Sequence, residues 1–177
     1  MLVKPTLRIR RVSSPGELKK ALAIRLRVFV SEQGVPREIE LDQDDRRAIH
    51  FLAVAAGRAV GTARVVVHRG KAKIGRMAVL KSSRRKGVGT KLLKRAIAVA
   101  KNLPARKIYL HAQVAVIGFY ERLGFRAVGA VFDEAEIPHR KMILLARGTG
   151  KRQKQIPANK INHNVGNRIT AGSRFLI

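Results

Sequence analysis

Cysteine is absent from this 177-residue chain. Disulfides, thiolate metal sites and cysteine nucleophiles are thereby excluded, as expected of a cytoplasmic protein. No apolar run approaches the roughly 18 residues of a membrane span. The opening MLVKPTLRIRRV has neither an apolar core nor a small-residue cleavage site, so it does not read as a secretory signal. Aromatics are scarce, with six Phe, two Tyr and no Trp, and they do not interleave with cations as single-strand nucleic-acid platforms do. His111, His139 and His163 lie far apart with no ligand spacing, and no metal is expected.

Acids are scarce as well. Lys plus Arg is 38 and Asp plus Glu is 11, a net charge of +27. Such a surface attracts polyanions, among them nucleic acid and phosphorylated cofactors; a basic host proteome explains it equally well. Five of the eleven acids fall in Arg37–Asp45: Glu38, Glu40, Asp42, Asp44 and Asp45. Residues 148–177 contain none, and read as a basic, flexible tail behind a domain spanning 1–147. The tail's charge suits contact with RNA or the ribosome.

The domain reads as mixed α/β, in the order β-α-β-β-β-α-β-α-β-β. LRIRRV (7–12) alternates like a half-buried strand. Ser14, Pro15 and Glu17 form a helix start with a capping box, and Leu18, Leu22, Leu26 and Phe29 share one face of the helix that follows. Residues 50–56 and 59–67 form a hairpin around a Gly57-Arg58 turn, and 71–80 the next strand. An amphipathic helix spans 86–101. A strand over 107–113 precedes a short helix through Phe119 and Tyr120 that ends at Gly124. Strands over 125–132 and 141–146 close the domain, with His139 and Arg140 in the turn entering the last.

One turn carries a phosphate-site signature. Gly87-Val88-Gly89 lacks the third glycine of a dinucleotide fingerprint, and Leu80 stands where a P-loop needs glycine. The pattern R-x-x-G-x-G, Arg84-Arg85-Lys86-Gly87-Val88-Gly89, fits without exception, between a strand and an amphipathic helix. Backbone N–H groups in a helix's first turn lack intrahelical partners, and the helix dipole favours an anion there. The alternative is a glycine-softened helix start with a solvated basic face.

With these residues in view, the chain resembles the GNAT superfamily of acyl-CoA N-acyltransferases. R-x-x-G-x-G is similar to its pyrophosphate motif, RMAVL (76–80) to its central strand, and HAQVAVIGFYERLGF (111–125) to its second cofactor motif. RVFVSEQGVPREIELDQDD (27–45) with His50, and EAEIPHRKM (134–142), resemble a bacterial subgroup of small members. The likeness covers roughly residues 7–146. It implies a mixed central sheet with splayed strands flanked by helices, and transfer of an acetyl group from acetyl-CoA to a primary amine by direct attack in a ternary complex. Met77, Ala78 and Val79 would pair with the pantetheine arm. Arg84, Arg85, Lys86, Gly87, Val88, Gly89 and Thr90 would hold the pyrophosphate, with Gln113 and Phe119 also at the cofactor.

Acyl transfer needs a neutral amine, a stabilised oxyanion and a proton for the leaving sulfur. Tyr120 is the expected general acid, because a phenol stays protonated at neutral pH. Glu32, Glu40 and His111 are candidates for the base, directly or through water. Glu32, Glu38, Asp42 and Asp45 are candidates for holding a cationic small-molecule or peptide acceptor; alternatively the acidic loop pairs with Arg37, Arg46 and Arg47. Two other readings stay open: an acyl-homoserine lactone synthase, which R-x-x-V-F and Glu40, Asp42 and Asp45 also resemble, and a nucleic-acid-binding basic protein. A homodimer is left open too.

Overall fold

The computed structural model describes residues 6–145; the tail lies outside them. Seven strands form one mixed sheet. They are β1 (Arg8–Arg11), β2 (Ile49–Ala55), β3 (Arg58–His68), β4 (Lys71–Val79), β5 (Lys107–Gln113), β6 (Phe125–Glu134) and β7 (Ile137–Leu144), in the order β1-β2-β3-β4-β5-β7-β6. The neighbours pair antiparallel except β4 and β5, which run parallel and are linked by α3 (Val88–Ala100). A parallel pair requires such a crossover, so the second amphipathic stretch had to return across the sheet.

Alternation sends each strand's side chains to two faces. Phe51, Ala53, Ala63, Val65, Ala72 and Ile74 meet Leu92, Leu93 and Ala96 of α3 in the larger core. The other face carries α1 (Pro15–Arg25), which continues as a π-helical turn over Leu26–Glu32. Ala21, Ile24 and Val28 pack there with Leu52 and Ala78. The expected stripe of Leu18, Leu22 and Leu26 is therefore displaced: those residues are only half-buried. Small Ala21 brings the helix close to the sheet, and the innermost face is shared with buried Arg25.

Three boundaries differ from expectation. Ser14 caps α1 by accepting from the Glu17 N–H, but the Glu17 carboxylate accepts from the N–H of Ser13, one residue earlier than in a capping box. The β2–β3 turn is Ala56-Gly57, both at positive φ (48° and 75°), and β3 begins at Arg58. The β6–β7 turn is Ala135-Glu136 (φ 50° and 61°), so Pro138, His139 and Arg140 lie within β7. Pro138 is tolerated because β7 pairs with β5 only from His139 onward, and the missing N–H costs no bond there.

Candidate active site

The strands β4 and β5 stay together for three residue pairs only: Lys71 with Lys107, Ala72 with Ile108 and Lys73 with Tyr109. Beyond Lys73 they separate, although β4 runs on to Val79 and β5 to Gln113. A bulge drives β4 aside. Thr62 faces Ala78 and Arg64 faces Gly75, so two steps on β3 match three on β4. Arg76 takes the strained left-handed conformation, φ 50°, within that bulge. Met77, Ala78 and Val79 thus turn one edge toward an open slot, where among the described residues no strand pairs with them.

At the mouth of the slot the chain turns into α3. Positive φ at Arg85 (62°) and Gly87 (76°) alternates with ordinary φ at Lys86, a backbone rhythm that makes successive N–H groups converge into an anion-binding concavity. The first helical bond of α3 runs from the Lys91 N–H to the Gly87 carbonyl, so the N–H groups of Val88, Gly89 and Thr90 are left to other partners. These residues line a cleft of about 410 Å³ with Arg85, Ala115, Val116, Gly118, Phe119 and Arg122. A diphosphate fits this arrangement: bare amides, a helix N-terminus and two guanidinium groups converge. Arg84 does not join them. Its Nε donates to the Val79 carbonyl (2.9 Å) and its Nη2 to Glu32 (2.6 Å), clamping the π-helical turn to the end of β4. Lys86 folds back to the Ser82 carbonyl. Arg122 supplies the second cation, and its one signal in the sequence is its place four residues beyond Gly118.

A second cavity, about 350 Å³, opens on the α1 side of the slot. Its floor contains the acidic segment, carried by α2 (Arg37–Glu40) and a 3-10 turn over Gln43–Arg46. Glu40 is 2% exposed and bound by Arg25 (2.5 Å) and Arg76 (3.1 Å). Asp45 meets Arg25 and Arg64, and Asp42 meets Arg64 and Arg76. The partners are therefore Arg25, Arg64 and Arg76 in place of Arg37 and Arg46; Arg47 pairs, as expected, but with Asp44. The reason is burial: the segment lies against the sheet, and a buried carboxylate needs a buried cation. Burial pushes the Glu40 carboxyl up, while Arg25 and Arg76 pull it back. For Asp45, burial is outweighed by the Arg25 and Arg64 bonds, which bring it down to about 2. Of the expected acceptor ligands, Glu32 and Glu38 are exposed and Asp45 is tied to Arg25 and Arg64; none of these three lines the cavity, and Asp42 does.

The opposite wall holds different chemistry. His111 Nδ1 lies 2.6 Å from Glu134, whose other oxygen is 3.9 Å from His139 Nε2. Phe132 packs edge-on against His111 and stacks on His139. The His111 hydrogen bond holds the Glu134 carboxyl down at about 2. In its neutral form, His111 with Nδ1–H turned to this carboxylate leaves the Nε2 lone pair facing away from Glu134. Tyr120, in α4 (Ile117–Glu121), is buried beside Phe119 and Phe125. Burial pushes its phenol well above the ordinary value, so it remains a proton donor at neutral pH. Gln113 donates to Gln33 (3.0 Å) across the slot. Glu134 stood inside a motif the sequence reading quoted, yet only the β6–β7 hairpin reveals that it faces His111.

A seven-stranded mixed sheet, opened between its parallel strands and fed by an amide-rich helix start, defines the acyl-CoA N-acyltransferase fold. The solved acyl-CoA N-acyltransferase of Pseudomonas aeruginosa superposes with a TM-score of 0.69 at 30% identity, covering 80% of this chain and 99% of that one. Escherichia coli ElaA superposes with a TM-score of 0.70 at 27% identity, over 78% and 99%. YjcF of Bacillus subtilis (strain 168), described as an uncharacterised N-acetyltransferase, is 35% identical over 128 residues, 72% of this chain and 91% of its own length. The GNAT acetyltransferase domain family matches residues 16–146. The chain belongs to that family and is an acyltransferase enzyme.

Proposed function

We propose that the protein moves an acetyl group from acetyl-CoA to the primary amine of an acceptor, by direct attack with both molecules bound. The observation carrying this is continuity: Val116 lines both the cleft at α3 and the cavity against the acidic segment, so the slot joins an anion site to a reaction chamber. When bound, acetyl-CoA supplies an activated thioester carbonyl. Gly87–Thr90, Arg85 and Arg122 hold its diphosphate. The open edge of Met77–Val79 pairs with its extended arm and offers N–H groups to the carbonyl oxygen as it gains charge.

His111 takes the base role, since Glu40 is committed to two arginines. Its Nε2 accepts the proton that the amine sheds as the C–N bond forms. Glu134 fixes the tautomer by receiving Nδ1–H. The Tyr120 hydroxyl gives its proton to sulfur as the C–S bond breaks. A coenzyme A release assay over polyamines, amino acids, aminoglycosides and basic peptides tests the reading. Tyr120→Phe and His111→Asn are each expected to lower kcat about 10²-fold with acetyl-CoA affinity retained. A loss below about threefold in either would remove that residue's role, and calorimetry showing no acetyl-CoA uptake would remove the whole reading.

A further inference from the structure

Most charged side chains of the chamber have a direct ionic or hydrogen-bonded partner. Arg25, Arg64 and Arg76 are met by Glu40, Asp42 and Asp45, and Asp44 is met by Arg47 and His68. Glu134 is occupied with His111. Among the described residues, Lys73 is the one charged side chain on the cavity wall with no opposite charge within 4.0 Å.

Lys73 is half-buried, and a half-buried ammonium without a counter-ion is an unfavourable arrangement unless something arrives to meet it. Burial lowers its pKa, opposed mainly by the more distant Glu134 charge. Its position is fixed by the sheet. Lys73 pairs with Tyr109 across the last closed rung of β4 and β5, and His111 lies two residues further along the same face of β5. His139 faces Gln113 on β7, and Phe132 faces His139 on β6, which brings Glu134 onto that face as well. The Lys73 and His111 positions are thus roughly 7 Å apart along the strand direction, a span that one small molecule can bridge with both side chains reaching in.

We infer that the acceptor is an amine that also carries an acid group, held by Lys73 at its anionic end while its amine meets His111. Such an acceptor gives Lys73 the direct anionic partner it lacks, whereas a polyamine would bring further positive charge to carboxylates already satisfied by arginine. The inference rests on the acetyltransferase reading and narrows its acceptor to amino acids and related amino-acids of carboxylate, phosphonate or sulfonate type.

The test compares matched pairs in the coenzyme A release assay: α-amino acids against their C-terminal amides, with aminoalkyl phosphonates and sulfonates as further arms to identify the anion. For the accepted side chain, the acid is expected to exceed its amide at least tenfold in kcat/KM, chiefly through KM. Lys73→Met should bring the two within about threefold of one another, and Lys73→Arg should keep the preference for the acid, since a charge-assisted bond to either cation suffices. Amides equal to or better than acids would overturn the inference and leave the acetyltransferase reading standing. So would Lys73→Met slowing acid and amide alike. No release with either class while another amine of the panel is accepted would overturn the inference alone; no release with any amine and no acetyl-CoA uptake would overturn both.

Discussion

Arg25 is fully buried in α1, on a helix whose expected inner face was the stripe of Leu18, Leu22 and Leu26. Its guanidinium donates to the Glu40 carboxylate and carbonyl and to both oxygens of Asp45. Removing one member of such a group strands the others in a dry place. Arg25→Ala is expected to cost about 3–5 kcal/mol in urea unfolding, and adding Glu40→Gln to that variant should restore part of the loss. Nothing local betrays this role. The clue is the crowding of five acids into Arg37–Asp45, for which chain proximity offers Arg37, Arg46 and Arg47 as one of two alternatives. The actual cations come from α1, β3 and β4, fifteen to thirty-six residues away from their carboxylates.

At the scale of elements, the seat of α3 depends on a single missing methyl. A Cβ on Gly61 of β3 would stand 3.0 Å from Leu92 and 3.1 Å from both the Ala78 carbonyl and Val88. Gly61→Ala should therefore push the first turn of α3 off the sheet, destabilise the fold by about 1–3 kcal/mol and raise KM for acetyl-CoA more than it lowers kcat. Denaturation and steady-state kinetics check the two halves. The elements themselves were legible because their periods are strong: α3 buries Leu92, Leu93, Ala96 and Ala100 as its spacing demands. The R-x-x-G-x-G turn was legible too, because Gly87 must adopt φ 76°. The guanidinium that leaves the cleft was not. Arg84 and Arg85 are adjacent, and which one faces outward depends on Glu32, fifty-two residues earlier. The β6–β7 turn was missed because Ala135 and Glu136 occupy left-handed positions where glycine or asparagine would have announced it.

For the whole molecule, a net charge of +27 coexists with carboxylates that are mostly engaged in ion pairs. Asp45 and Glu134 titrate near 2 in the folded chain, below their unfolded values, so each adds stability that is complete above about pH 4.5 and lost as pH falls toward 2. Asp42 and Asp44 are lowered as well and act in the same direction. Glu40, raised by burial, acts in the opposite sense near its own titration and softens the upper edge of the fall. Urea midpoints are expected to change little between pH 5 and 7 and to drop steeply below about pH 4, with added salt recovering part of the drop by screening the surplus cations.

The three rungs that tie β4 to β5 also mark a seam in the sheet's backbone pairing. Four strands lie on one side of that seam and three on the other, and beyond the three rungs the two sets are joined through the shared apolar core under α3 instead of through backbone pairing. An extended guest laid along the gap would stand as a keystone there, supplying the absent rungs and restoring a continuous ladder between the two sets of strands.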